Sequence, residues 1–164
     1  MSALDPDSLP AILKEVRTKH LFTMRLDVRP LQLVGATPGV TRRIGVVPGG
    51  EFHGERLSGT ILDGGSDWQA VRGDGSIALD VRLVLKTDGG AMIGMVYRGM
   101  RHGPADVLQR IDQGEVVDPA SYYFRISSVF ETAAAEYDWL NRIVAVGIGQ
   151  RQAGGPVYNL FELL

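Results

Sequence analysis

The chain has no cysteine, which removes disulfides, thiolate nucleophiles and thiolate metal sites together and suits a reducing compartment, so a cytoplasmic location is expected. Nor is there an excess of positive charge. Seventeen Lys and Arg stand against nineteen Asp and Glu, a formal net charge of -2, so neither nucleic acid nor an anionic membrane is expected as a partner. The apolar runs are too short to cross a bilayer. Residues 1–10 carry Asp5, Asp7 and two prolines where a secretory leader would place basic and then apolar residues.

Nucleotide and hydrolase motifs are missing too. Gly147-Ile148-Gly149 has neither the third glycine nor the following helix of a dinucleotide fold. There is no phosphate-binding G-x-x-x-x-G-K-[ST] and no G-x-S-x-G elbow. His20, His53 and His102 fall on separate elements and read as surface or loop residues, so no metal site is expected. No cofactor is expected either.

What remains is a chain of 164 residues, 45% hydrophobic and 22% charged, the profile of one packed domain with a single core. Its 21 glycines have no period, and among many β-branched residues they predict tight turns and an all-β fold. The expected class is a single-domain antiparallel β-barrel over residues 1–164 with short helices covering its ends.

Ser8 can cap a helix over residues 9–19, with Pro10 in its first turn and Ile12, Leu13 and Val16 at helical spacing. Alternation then predicts strands over 20–29 and 40–47, with a turn at Gly35, Pro38 and Gly39 between them. A third strand is expected over 51–62, with Gly54 and Gly59 as bulges that let a sheet curl. A short strand over 67–72 and strands over 76–86 and 91–98 form a meander punctuated by Gly73-Asp74-Gly75 and Thr87-Asp88-Gly89-Gly90. Periodicity fails over 99–121, where Val107, Leu108 and Ile111 fit one or two helical turns in a long loop. Strands over 122–130, 142–149 and 157–163 follow, with an Ala-rich helix over 132–141 plugging one end.

The polar strand faces offer a pocket. In residues 76–85, Leu79, Val81, Leu83 and Leu85 share one face and Asp80 and Arg82 the other. If the apolar face packs outward against a cover, Asp80 and Arg82 line the lumen. Tyr123, Arg125 and Ser127 share a face in the same way, and Asp67-Trp68 follows a double-glycine turn. A carboxylate near arginine and aromatic rings can move a proton, hold an oxyanion and stack a small organic acid or phenol-like ligand. Asp67, Asp80, Glu131, Arg82 and Arg125 read equally as structural ion pairs within or at the mouth of a barrel. A one-residue slip in register would reverse every facing assignment.

A longer ordered set of residues carries a family resemblance. It comprises the run from Gly49 to Gly59, Gly64-Gly65-Ser66-Asp67-Trp68, Asp74-Gly75, Asp80-Val81-Arg82, Thr87-Asp88-Gly89-Gly90, Tyr123-Phe124-Arg125, Phe130-Glu131-Thr132 and Tyr137-Asp138-Trp139-Leu140-Asn141. Together these resemble the bacterial and fungal domain of unknown function three-two-three-seven. The resemblance implies a small antiparallel barrel similar to allene-oxide-cyclase-like barrels, often assembled as a homo-oligomer, with no established general activity. The family's second Asp in the turn after Lys86 is not matched, so that turn receives no role.

The candidate pocket from the matched positions is Asp67, Trp68, Asp80, Arg82, Tyr123, Arg125 and Glu131. Asp67 or Asp80 would carry the proton, Arg82 and Arg125 would hold an oxygen, and Trp68 and Tyr123 would wall the site. The expected function is binding of a small organic molecule in the lumen, with cofactor-independent lyase, isomerase, cyclase or hydrolase chemistry. The alternatives are a ligand carrier without chemistry and a structural or interaction protein with a filled barrel.

Overall fold

The computed structural model describes residues 4–164. Its strands are β1 (Thr18–Asp27), β2 (Gln32–Ala36), β3 (Thr41–Val47), β4 (Gly49–His53), β5 (Ser58–Ile61), β6 (Gly65–Val71), β7 (Ile77–Thr87), β8 (Met92–His102), β9 (Tyr123–Glu131), β10 (Ala145–Gln152) and β11 (Gly155–Leu163). An α-helix, α1 (Ala105–Asp112), links β8 to β9.

All neighbours pair antiparallel, and the sheet that runs from β7 through β5, β4, β1, β11, β10 and β9 to β8 closes on itself because β8 pairs back with β7. β3 runs on into β4 across Pro48, and β5 into β6, so β7 pairs with β5 at one end and β6 at the other. The result is a closed eight-stranded antiparallel barrel with β2 added outside on β3. Closure removes the sheet edges that would invite aggregation.

The faces sort by strand parity. Along β7, Ile77, Leu79, Val81, Leu83, Leu85 and Thr87 are buried, and the alternate positions are more exposed. The apolar face therefore fills the lumen, where its apolar residues join one buried cluster with those of the other strands. Asp80 and Arg82 point to solvent, the reverse of the expectation that they line the lumen.

One end of the lumen is solid. Phe22 lies 5.3 Å from Phe52 and 6.1 Å from Phe130, ring centre to ring centre, in the tilted geometries that aromatic quadrupoles favour. The 3-10 segment Ala135–Arg142 packs against β9 and buries Tyr137 and Leu140. It plugs the end as expected, but as a kinked 3-10 stretch in place of a regular helix. The Asn141 side chain accepts from the Thr132 N–H and donates to the Thr132 carbonyl, tying off the loop.

Other expectations are corrected by the strand pairing. Residues 9–19 form only a 3-10 turn at Ala11–Leu13 before β1 begins at Thr18. Ile12, Leu13 and Val16 stay exposed, so no tertiary burial supports a helix there. The third strand over 51–62 is a hairpin, β4 with β5, whose loop is fastened by Ser58 Oγ donating to the Gly54 carbonyl. β2 is an additional strand where only a turn was expected. β8 continues to His102, shortening the expected loop, and α1 supplies the helical turns foreseen around Val107 and Ile111.

Candidate functional site

The other end of the lumen is open. Here β6, β8, β10 and β11 project side chains around a cavity of ≈ 220 Å³, rimmed by Leu31, by α1 and by the β10–β11 turn. Its wall combines apolar residues such as Leu26, Leu79 and Phe124 with Asp67, Gln69, Tyr97, Tyr158 and the arginines Arg43, Arg101 and Arg151. A cavity of roughly 150 Å³ accepts benzene, so this one takes a molecule somewhat larger than a single ring.

Asp67 reaches the cavity because β6 alternates Gly65, Asp67, Gln69 and Val71 on one face. Its neighbour across β7 is Val81, and Val81 pairs in turn with Tyr97. Asp67 Oδ2 accepts from Gln69 Nε2 at 2.7 Å, and Gln69 Oε1 accepts from Arg43 Nε at 2.7 Å. The amide thus relays the Arg43 charge to Asp67 without an ion pair. Oδ1 is buried and makes no hydrogen bond of full geometry.

Burial pushes the Asp67 carboxyl up to about 6, against the opposing pull of the Gln69 hydrogen bond, the Asp80 backbone and the charges of Arg101 and Arg43. Desolvation wins because none of these partners meets the carboxylate as a direct ion pair. A carboxyl that titrates near neutrality can both give and take a proton at physiological pH.

Arg101 enters from β8 in phase with Tyr97, and its side chain is only 7% exposed. Its nearest carboxylate is Asp112 of α1 at 3.9 Å, too far for a hydrogen bond. Nε is buried without a partner. Its guanidinium lies 5.8 Å from the Phe124 ring centre. Burial, followed by the nearby charge of Arg43, lowers its pKa, with Arg151 acting in the same sense and Asp112 opposing.

Two tyrosines complete the wall. Tyr97 Oη donates to Tyr158 Oη at 3.4 Å, and the Phe124 and Tyr158 rings lie 5.2 Å apart at 68°. Burial raises the pKa of both phenols, so they remain neutral donors. Gly149 makes room for the rings, since a Cβ there would lie 2.8 Å from Phe124 and 2.9 Å from Tyr158.

Of the residues expected in the pocket, only Asp67 reaches the lumen. Trp68 is 51% exposed on the outer face of β6. Asp80 faces Arg98 at 3.9 Å on the outside of β7 and β8. Arg82 stands on the same outer face. Tyr123 and Arg125 form an outer stack with His102: the His102 and Tyr123 rings lie 4.9 Å apart, and the Arg125 guanidinium sits 4.9 Å over Tyr123. Glu131 is exposed, its side chain lying over Gly94.

The residues missed by sequence reasoning share one signal, a polar group in phase with the buried face. Tyr97 and Arg101 follow Ile93 and Met95 along β8, Arg151 follows Ala145 and Gly147 along β10, and Tyr158 precedes Leu160 on β11. Among the described residues, no group of three His, Asp or Glu is placed to hold a metal ion, and no helix is long and apolar enough to cross a membrane.

Comparison with known proteins agrees with this architecture. A family model described as protein of unknown function (DUF3237) matches residues 16–163. The UPF0311 protein RPA1785 of Rhodopseudomonas palustris is 34% identical over 149 residues, covering 91% of this chain and 97% of that protein. Its crystal structure superposes with a TM-score of 0.88, covering 92% of this chain and 99% of the other. A β-barrel like protein from Acinetobacter baumannii, 37% identical, gives 0.82 over 96% of this chain and 99% of its own. A crystal structure described as an enzyme from Penicillium herquei shares the fold at 19% identity, with a TM-score of 0.71 over 96% and 98% of the two chains. On sequence and fold together, the chain belongs to the DUF3237 family of proteins of unknown function, the UPF0311 β-barrel proteins.

Proposed function

We propose that the protein binds a small organic molecule at the open end of its lumen and acts on it without a cofactor, through acid/base chemistry of the lyase, isomerase, cyclase or hydrolase type. The observation that carries this reading is Asp67, a carboxyl held near neutrality beside an open cavity. Asp67 carries the proton. Arg101 and Tyr158, whose own hydroxyl proton is left free because it accepts from Tyr97, offer donors to an oxygen on which negative charge develops. Leu79 and Phe124 hold the carbon skeleton. The cytoplasm is the proposed compartment, on the lack of cysteine.

Two-dimensional NMR of the full chain with acetophenone, phenol and cyclohexenone tests the binding step. At least one of these should shift the Tyr97, Tyr158 and Phe124 signals, and Gly45→Leu should abolish the shift. Gly45 lines the cavity, and a Cβ there meets Val28, Asp67 and Gln69 at 3.6–3.8 Å, so the new side chain fits at its root and fills the space beyond. No shift from any of the three would contradict the reading. Binding ketones should then exchange acidic C–H protons with D2O in the wild type and much more slowly in Asp67→Asn. Binding with equal exchange in both proteins would assign the cavity to a carrier.

A further inference from the structure

The cavity carries more positive than negative charge. Arg43, Arg101 and Arg151 line it against Asp67 and Asp112, and Asp67 is neutral through much of the range below pH 6. Arg43 is engaged with Gln69, and Arg151 donates to the Gln152 carbonyl at 2.6 Å. Arg101 is different. Among the described residues none hydrogen-bonds its guanidinium, and Asp112 stands off at 3.9 Å on the rim. A guanidinium keeps its charge even when buried, so this site holds a desolvated cation with no matched counter-ion, pressed by two further cations. Such an arrangement is costly until an anion enters.

The shape of the cavity limits which anion. Its planar fork donors suit a carboxylate or a phosphate, but a phosphate dianion would set a second negative charge against Asp67 and Asp112. A phenol is neutral at physiological pH and leaves Arg101 uncompensated. The ring of Phe124 beside Arg101, together with the volume of ≈ 220 Å³, favours one flat ring of carbon attached to the charge.

We propose that the ligand of this cavity is a small monocyclic carboxylate, bound through Arg101 with support from Arg151 and with its ring against Phe124. The inference deepens the functional reading above and rests on it. Arg101 is a binding residue, and Asp67 is left to act on the remainder of the molecule.

Calorimetric titration of the full chain with benzoate and with benzamide, its uncharged near-isostere, tests the assignment. Benzoate should bind at least ten times more tightly than benzamide. Arg101→Gln should erase that ratio by weakening benzoate alone, and Arg101→Lys should restore part of it. Each variant is first checked for native melting, so that a folding defect is not read as lost affinity. If benzamide binds wild type as well as benzoate does, or if Arg101→Gln leaves the ratio intact, the carboxylate assignment is overturned while the lumen remains a binding site. If neither compound binds, the assignment is likewise overturned. The uncharged panel described above then decides independently whether the lumen reading stands.

Discussion

Asp67→Asn should be more stable than the wild type at pH 8 by about 3 kcal/mol, and no more stable than it at pH 3. The folded protein holds this carboxyl near 6, against an ordinary value of 3.8. Because the folded pKa is the raised one, the native state keeps its proton while the unfolded chain loses it. Wild-type stability therefore falls as pH rises from about 4 to about 6. Above that window both states are ionised, and the buried charge imposes its full penalty. Asparagine removes the charge and keeps an oxygen for Gln69 Nε2, so it escapes the penalty. For a chain of this size the difference corresponds to roughly 6–12 °C in melting temperature. Melting curves of both proteins at matched pH values check it, and a difference that does not change between pH 3 and pH 8 would contradict it. A residue that costs stability where it stands is the pattern expected of one retained for function.

The second large effect concerns closure of the barrel. Gly59→Ala should lose more than ~4 kcal/mol, a large share of a typical domain's stability, and accumulate largely as aggregate. A Cβ at position 59 would lie 2.1 Å from the Lys86 carbonyl oxygen and 2.8 Å from Thr87 Cα. These are backbone atoms and have no rotamer through which to retreat. The clash falls on the β5–β7 seam, where Gly59 pairs with Thr87, and forcing it apart exposes the edges that closure removes. Gly39→Ala is the matched control, with nothing within 4 Å of its new methyl group. Urea unfolding and soluble yield measure both variants. Near-native stability for Gly59→Ala would show that this seam can shift.

Much of the barrel was legible in the sequence because its turns are written in glycine. Asp74-Gly75 and Thr87-Asp88-Gly89-Gly90 fixed the meander through β7 and β8, and the left-handed φ of +83° at Gly75 and +92° at Gly90 shows why glycine stands there. The hairpin between β4 and β5 was read as one strand, because Gly54 and Gly59 look alike in sequence. Gly54 lies at the turn and Gly59 within β5, and both sit under a neighbouring backbone, that of Leu21 and that of Lys86. The 9–19 segment had helical spacing but no surface to bury it, a fact that depends on the far end of the chain.

The site was less legible, for a specific reason. Asp80 and Arg82 looked informative because they are charged and alternate with leucine and valine. Strict alternation of that kind places charge on the outside when the barrel interior is filled by the chain's own apolar residues. The useful signal was the opposite one, a charge that breaks the alternation. Arg101 sits in phase with Ile93, Met95 and Tyr97, and Asp67 sits in phase with Gly65 and Val71. Only after β6 and β8 are placed on either side of β7 do those two anomalies face the same space.

Acid/base chemistry in this lumen depends on Asp67 being a protonatable carboxyl at its wall. Carbon-13 NMR of the aspartate carboxyl groups across pH 3 to 8, with Asp67→Asn to assign the signal, tests it directly. One aspartate should titrate at about 6, and its signal should be absent from the variant. An Asp67 signal titrating near 4 would mean that the carboxylate is solvated or ion-paired, and would remove the basis for acid/base chemistry in this cavity.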